Sequence, residues 1–342
     1  MELNKKIEGI LSLAAIGDAM GAATENMPYE AIREEFNGGV KTFIKPGETA
    51  FALGNEAGEI TDDFSQIYYL SNAIVENEGK LNKDIVIKAI LDWSNEPKYF
   101  NRFAGPTTRG AIEMYKNPDQ KGLKPLPGAA AVDYAAKATN GAAMKIAPAG
   151  ILNPANLEKA IDDAIIVTQV THDNSLAISG ACAVAAAVSA ALAENATIDE
   201  AIYAGLYGAY RGDTKARSIS RVVAGASVVE RTKLALEIAE EAGDKEAKLR
   251  KLSKVVGSGL HISEAVPCAF GIIALNKDNP LQAVIDAVNI GYDTDTIATI
   301  VGSIVGAFID FENEEFIKLH EEVQRVNNFD LEDLANRLAS FI

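Results

Sequence analysis

Two short runs of carboxylate and hydroxyl residues stand at the starts of predicted helices. The first run is Thr61-Asp62-Asp63, and the second is Asp293-Thr294-Asp295-Thr296. Asp and Thr at a helix start commonly cap free N–H groups, so capping alone could account for either run. Should the two helix starts meet, several carboxylates would converge and would repel one another strongly without cations between them. Oxygen ligands of this kind select hard ions, namely Mg²⁺, Mn²⁺ or Ca²⁺.

The helix patterns that follow the two runs differ in character. The second run leads into residues 297–309, which are apolar on every side and carry Gly302 and Gly306 four positions apart. A helix of this kind is buried, and two small residues at this spacing predict the close approach of another backbone. The first run leads into a helix predicted over 64–77, with its apolar residues near one face. The spacing alone leaves open whether the two helix starts meet.

The rest of the chain predicts helices and few strands, because sustained period-two alternation is missing from the sequence. Three stretches are predicted to be irregular: an aromatic loop at 95–106, a Pro- and Gly-rich surface loop at 117–128, and a charged connection at 243–254. We therefore expect an all-α fold, a single compact domain of many helices over residues 1–342. The other predicted helices are two within 5–35, broken near 21–28, and those at 83–94, 108–115, 155–170, 172–194, 198–210, 219–242, 263–275, 280–290, 294–311, 314–326 and 331–342.

The composition excludes several classes of partner. Of the 342 residues 48% are hydrophobic, and the net charge of −16 argues against binding to nucleic acid or to an anionic membrane. The apolar stretches at 10–16 and 175–193 are interpreted as core helices, not as a signal peptide and a membrane span. Cys182 and Cys268 lie in apolar surroundings, which favours two buried thiols and a reducing cytoplasm.

Six pieces of the chain together resemble one enzyme family. The two carboxylate runs are similar to the signature of the ADP-ribosylglycohydrolase family, to which the dinitrogenase reductase-activating glycohydrolases belong. The other pieces match that family in the same order along nearly the whole chain: Gly17-Asp18-Ala19-Met20-Gly21 with Glu25, the segment Thr139 to Pro148, Thr171-His172, and Glu264-Ala265-Val266-Pro267.

The resemblance implies a binuclear Mg²⁺ or Mn²⁺ site with the ribose hydroxyls of an ADP-ribosyl group above the ions. Asp18 would orient the metal ligands, although a buried helix cap is an equal alternative, and Glu25 would lie over the metals. Backbone groups of Asn140, Gly141 and Ala142 would bind phosphate, or form only an Asn-Gly turn. His172 would meet phosphate or ribose, or serve only at a helix start. The implied metal ligands are Thr61, Asp62, Asp63, Asp293, Asp295 and Thr296.

The implied function is metal-dependent hydrolysis of a ribosyl N- or O-glycosidic bond, in an ADP-ribosyl group on a protein or a small molecule. Cleavage of such a bond passes through an oxocarbenium-like state, which nearby anions stabilise. Asp62 would serve mainly as a metal ligand and Asp63 would handle the attacking water. A smaller nucleoside-like riboside is an alternative substrate, and a non-catalytic, crystallin-like protein is the other alternative. Phe64, Ile297 and Lys145 depart from the family pattern, which predicts altered ring and phosphate contacts.

Overall fold

The computed structural model describes residues 1–48, 50–118 and 135–342. Within those residues the chain forms α-helices and no β-sheet, and its only extended pairings are the isolated bridges Thr139–His261 and Asn174–Arg221. The all-α prediction is confirmed. The helices are α1 (Leu3–Gly21), α2 (Tyr29–Glu35), α3 (Asp62–Glu76), α4 (Lys83–Trp93), α5 (Pro97–Phe103), α6 (Pro106–Lys116), α7 (Ala147–Ile151), α8 (Leu157–Thr171), α9 (Ser175–Ala191), α10 (Ile198–Ile219), α11 (Val228–Glu240), α12 (Lys245–Lys251), α13 (Ile262–Ala274), α14 (Pro280–Val288), α15 (Thr294–Val305), α16 (Glu314–Asn327) and α17 (Leu331–Ala339).

Most predicted helices are present, and two stretches predicted to be irregular are instead helical. The aromatic stretch 95–106 contains α5, which begins at Pro97, a position where a missing N–H costs nothing. The charged stretch 243–254 contains α12, whose N-terminus is capped by Asp244, followed by a π-turn at Leu252–Val256. The charged residues of this stretch therefore lie on a helix and not in a loop. Of the predicted surface loop at 117–128, residues 119–128 lie outside the described residues.

Helices α1 and α15 run antiparallel with their backbones in direct contact. A β-carbon on Gly302 would collide with the Leu13 carbonyl, and one on Gly21 would collide with the backbone of Asp295. Only glycine permits this approach, so the close contact predicted from Gly302 and Gly306 is confirmed. The contact places the C-terminal end of α1 beside the N-terminal end of α15.

The same end of α1 also holds the start of α3. Asp18 lies in the last turn of α1 and accepts hydrogen bonds from the Thr61 N–H at 3.0 Å and from the Phe64 N–H at 2.9 Å. The Thr61 hydroxyl donates to Asp18 Oδ1 at 2.7 Å. An aspartate from another helix therefore satisfies the free N–H groups of α3. As a result, the N-termini of α3 and α15 meet at one point, which the sequence pattern had left open.

The remaining helices bury one large apolar core. Helix α9, the apolar stretch at 175–191, is buried along nearly its whole length and packs closely on α10, where a β-carbon on Gly208 would strike the Cys182 carbonyl. Both cysteines are buried and free, as expected, and burial raises the pKa of each thiol. Among the helices of the described residues, none has the combination of length and hydropathy that a membrane span requires.

Candidate active site

The two carboxylate runs face each other across the junction of α1, α3 and α15. The Thr296 hydroxyl donates a hydrogen bond to Asp63 Oδ2 at 3.0 Å, which joins the two runs directly. Oxygen atoms of Asp18, Asp63 and Asp295 lie within 4.8 Å of one another, and so do oxygen atoms of Glu25, Asp293 and Asp295. Asp295 belongs to both groups, so the carboxylates form one continuous cluster.

Asp18 is part of this cluster, but its oxygens are already occupied. Both accept hydrogen bonds from the start of α3, as described above, and the side chain is fully buried. A carboxylate whose lone pairs are taken by N–H and O–H donors is better suited to orienting Thr61 than to binding an ion. The geometry thus combines the two alternatives for Asp18, because the residue caps α3 and thereby positions the first carboxylate run.

Asp62 lies outside both groups of three and lines the open side of the cluster. It is the first residue of α3 and is only partly buried. Gln66, one turn later, donates to Asp62 Oδ2 at 3.4 Å and accepts from Lys145 Nζ at 3.2 Å. A chain of two hydrogen bonds therefore connects a buried ammonium group to the Asp62 carboxylate.

Burial and mutual repulsion perturb the acidity of every group in the cluster. Burial, followed by the charge of Asp18, raises the pKa of Asp62 to about 8. Burial, followed by the charges of Asp293 and Asp62, raises the pKa of Glu25 to about 9. Asp63 and Asp295 have pKa values well above the usual range for the same reasons. The cluster therefore holds more negative charge than the protein alone can easily accommodate.

The protein supplies little positive charge to offset these carboxylates. Lys145 is buried behind α3, and burial lowers its pKa to about 8 despite the opposing charges of Asp62 and Asp63. Glu25 Oε2 is buried, yet it accepts no hydrogen bond from any described residue. An orphaned carboxylate oxygen within a cluster of oxygen donors fits a bound hard cation. The clustered acidic residues could therefore hold metal ions.

The cluster opens into a cleft with a volume of about 290 Å³. Of the residues expected to bind substrate, Glu25, Asn140, Gly141 and His172 line the cleft, whereas Ala142 is fully buried beneath it. Its described lining residues are Glu25, Asn26, Phe51, Asp62, Asp63, Phe103, Gly105, Pro106, Thr107, Thr108, Thr139, Asn140, Gly141, Met144, His172, Leu260, Asp293, Asp295 and Thr296.

Asn140 and His172 are both held firmly in place. The Asn140 side-chain amide donates to Asp293 Oδ2 at 2.5 Å, so this loop also orients the second carboxylate run. The His172 ring is buried, with Nε2 2.9 Å from the Thr139 hydroxyl and Nδ1 2.7 Å from the Thr171 hydroxyl. Burial lowers the His172 pKa well below its usual value, and nearby Lys145 lowers it further. His172 is therefore neutral and offers one donor and one acceptor.

The three departures from the family pattern lie outside the cleft. Phe64 is fully buried and packs against Phe329 with ring centroids 5.7 Å apart. Ile297 is fully buried in the main core, and Lys145 lies behind α3, as described above. None of the three is among the described lining residues. None of the three therefore offers a side chain to a ligand in the cleft, and the altered ring and phosphate contacts stay a prediction.

Several lining residues carried no clear signal in the sequence. Phe103 belongs to the aromatic stretch 95–106 that was predicted to be a loop, and it lines the cleft. Thr107 follows Pro106 at the start of α6, a proline position typical of helix N-termini. Phe51 and Leu260 come from loops, where no periodicity indicates the direction of a side chain.

Comparison with known proteins places the chain among enzymes. A model of the family described as ADP-ribosylglycohydrolase matches residues 1–341. The chain belongs to the ADP-ribosylglycohydrolase family. The protein YegU of Escherichia coli (strain K12), described as uncharacterized, is 32% identical over 98% of this chain and 97% of its own length. The prediction of a hydrolase of the ADP-ribosylglycohydrolase type is confirmed, and the non-catalytic alternative is not supported.

Two further proteins match most of the chain at lower sequence identity. The ADP-ribosylhydrolase ARH3 of Gallus gallus is 24% identical over 94% of this chain and 92% of its own length. A solved structure titled "ADP-ribosylglycohydrolase-related protein complex" superposes with a TM-score of 0.65 over 99% of both chains, at 22% identity. That structure shows the same fold.

Cation binding to this ADP-ribosylglycohydrolase is expected to strengthen as pH rises. Carboxylates with raised pKa values bind more protons in the folded state than in the unfolded state. Without cations, their contribution to folding stability therefore falls as pH rises from about 4 toward about 9. A cation must displace these protons in order to bind. For each proton released, the apparent affinity for the cation therefore rises about tenfold when the pH rises by one unit.

The measurement is thermal unfolding with and without Mn²⁺ at about pH 6 and about pH 8, with a chelator as the control. The increase in Tm caused by Mn²⁺ should be larger at the higher pH, since binding to the native state alone raises stability. Equal increases at both pH values would mean that the carboxylate cluster is not where the cation binds.

Proposed function

We propose that the chain hydrolyses the bond between the anomeric carbon of a ribosyl group and its leaving group, using two divalent cations, Mg²⁺ or Mn²⁺. The favoured substrate is an ADP-ribosyl group on a protein or a small molecule. The observation that carries this proposal is the convergence of the α3 and α15 carboxylates in one cleft, joined by the hydrogen bond between Thr296 and Asp63. We place this activity in the cytoplasm, since the chain's two thiols are free.

The arrangement of oxygen donors supports two cation positions. Asp295 belongs to both groups of carboxylates, and with Asp18 serving as the cap of α3, oxygen donors from both runs remain beside Asp295 that could hold two ions. When bound, the ions would polarise ribose hydroxyls and activate a water molecule. The residues proposed to hold them are Thr61, Asp62, Asp63, Asp293, Asp295 and Thr296.

The chain's own groups have separate tasks in this mechanism. Asp63 accepts a proton from the water whose oxygen bonds to the anomeric carbon, while the leaving group departs with the electron pair of the broken bond. The Thr296 hydroxyl holds the Asp63 carboxylate in place for this transfer. The surrounding carboxylates stabilise the positive charge that develops on the ribose. Glu25 lies at the edge of this cluster, where it would contact the bound ribosyl group.

Binding of the rest of the substrate falls to the loop at 139–141 and to His172. Asn140 is fixed by Asp293, so a ligand here would not have to order the loop. His172 is neutral and lines the cleft, and to hydrogen-bond phosphate or ribose its ring would exchange a threonine hydroxyl partner for the ligand. Gly141 packs against His172, since a β-carbon at this position would lie 3.2 Å from His172 Nε2.

A substrate screen tests the proposal. Purified protein is incubated with ADP-ribosylated proteins, ADP-ribosyl compounds and simple ribosides, with Mg²⁺ or Mn²⁺ or with a chelator. We expect release of the ribosyl product only when cations are present. The affinity for ADP-ribose, compared with that for ribose, separates the substrate classes. If ADP-ribose binds at least a hundredfold more tightly than ribose, a difference of about 2.7 kcal/mol in binding free energy, the smaller riboside is excluded as the substrate. Absence of turnover on every compound would contradict the proposal.

A further inference from the structure

An aromatic pair, one ring buried and one half-exposed, lines part of the cleft. Phe51 and Phe103 both line the cleft, and their ring centroids lie 6.1 Å apart at an interplanar angle of 54°. Phe103 is buried, whereas 54% of Phe51 is exposed. The exposed face of Phe51 therefore gives the cleft an apolar surface on which a ligand ring could pack.

The loop that carries Phe51 is anchored to α5. The Arg102 guanidinium donates to Asn55 Oδ1 at 2.6 Å and to the Leu53 carbonyl at 2.8 Å, and it lies 4.7 Å from the Phe103 ring centroid. These contacts hold the turn that follows Phe51. They also engage Arg102 with neutral oxygens, so its guanidinium is not directed at an anionic ligand.

The aromatic pair adjoins the Glu25 side of the carboxylate cluster. Phe103 forms a small apolar cluster with Ala22 and Ala52, separate from the main core. Ala22 lies in the turn between α1 and Glu25, so the pair sits beside the chain segment that carries this carboxylate. Glu25 and Asp62 line the same cleft, and neither side chain offers a cationic group to a phosphate.

We propose that Phe51 and Phe103 form the binding site for the leaving group of the substrate, and that they select a flat heteroaromatic ring of the nucleobase or pyridine class. The inference rests on the proposed ribosyl hydrolysis and names the leaving group for its small-molecule substrates. A flat ring stacks on the exposed face of Phe51 and gains the dispersion and apolar burial that this face otherwise lacks. An aliphatic leaving group gains little from the same surface.

The first test compares Phe51→Ala with Leu53→Ala. Leu53 is a matched control, because it lies on the same loop with 55% of its surface exposed and is not among the described lining residues. For each variant, kcat and KM are measured with an aryl riboside and with methyl riboside, in both anomeric configurations. Calorimetry gives the Kd for ADP-ribose. Phe51→Ala should lower kcat/KM for the aryl riboside about tenfold. It should leave kcat/KM for methyl riboside and the Kd for ADP-ribose unchanged. Leu53→Ala should change none of these three quantities.

Two outcomes of this test overturn the inference. Equal losses on aryl and methyl ribosides would mean that Phe51 only supports the shape of the cleft. A weaker affinity for ADP-ribose without any loss on the aryl riboside would mean that the pair binds the adenine ring instead.

A second readout does not depend on turnover. The sequence contains one tryptophan, Trp93, which is fully buried. The aryl riboside should therefore quench the fluorescence of Phe51→Trp but not that of Leu53→Trp. Quenching without hydrolysis would refute the proposed function while retaining the ring site. Hydrolysis that is unaffected by Phe51→Ala, without quenching, would refute the ring site and retain the proposed function.

Discussion

Replacement of Asp63 by Asn is expected to lower kcat and kcat/KM together, by about 10²- to 10⁴-fold, on a confirmed ribosyl substrate. Asparagine keeps the shape of the side chain, and its carbonyl oxygen can still accept the hydrogen bond from Thr296. It removes the negative charge and the ability to accept a proton from water. Steady-state kinetics with saturating Mg²⁺ or Mn²⁺ measures the loss.

A matched control for this variant is Asp286→Asn. Asp286 is also a buried carboxylate, it accepts hydrogen bonds from Asn276 and Gln282, and it is not among the described residues of the cleft. This second variant should keep turnover within about twofold, because the mechanism does not involve Asp286. If Asp63→Asn binds both cations and retains nearly full turnover, the role assigned to Asp63 is wrong.

The second large effect is expected from Asp293→Ala, which should abolish binding of at least one cation. Asp293 contributes to one of the two groups of carboxylates, and its loss also leaves the Asn140 amide without its acceptor. Calorimetric titration with Mg²⁺ or Mn²⁺ should saturate at fewer ions per chain than in the unmodified protein. The cation-dependent increase in Tm should shrink in parallel.

The neighbouring variant Thr294→Val separates loss of a ligand from loss of packing. The Thr294 hydroxyl donates to the Gly21 carbonyl at 3.0 Å and connects α1 to α15 without contributing a carboxylate. Thr294→Val should therefore lower Tm with and without cations but keep the number of bound ions. An unchanged titration in Asp293→Ala would exclude this residue as a metal ligand.

The sequence predicts both helix starts of the site but not their meeting. Each run of Asp and Thr before an apolar pattern is a local signal, readable from capping preferences and periodicity. Their convergence depends on the contact of α1 with α15 and on the hydrogen bonds from α3 to Asp18, between residues far apart in the chain. No local pattern encodes such a contact. The resemblance to the family supplied what the periodicity could not.

The three departures show a different limit of sequence reasoning. Phe64 and Ile297 each follow directly after a residue of the carboxylate runs, which led to the expectation that they would affect the site. Successive residues on an α-helix point about 100° apart, so the residue after a ligand can face the core. Both side chains are fully buried there. Position next to a motif is therefore a poor guide to contact with the ligand once the helix has begun.

The glycine contact between α1 and α15 also bears on how the chain folds during synthesis. Leu13 and Gly302 touch in the folded protein, yet nearly the whole chain must be translated between them. At about 5–20 residues per second, that interval is roughly 15 to 60 s. Throughout this time α1, which is buried along nearly its whole length in the folded protein, lacks the helix that covers its glycine face. In a chain that folds during synthesis, the docking of α1 against α15 is therefore one of the last contacts to form.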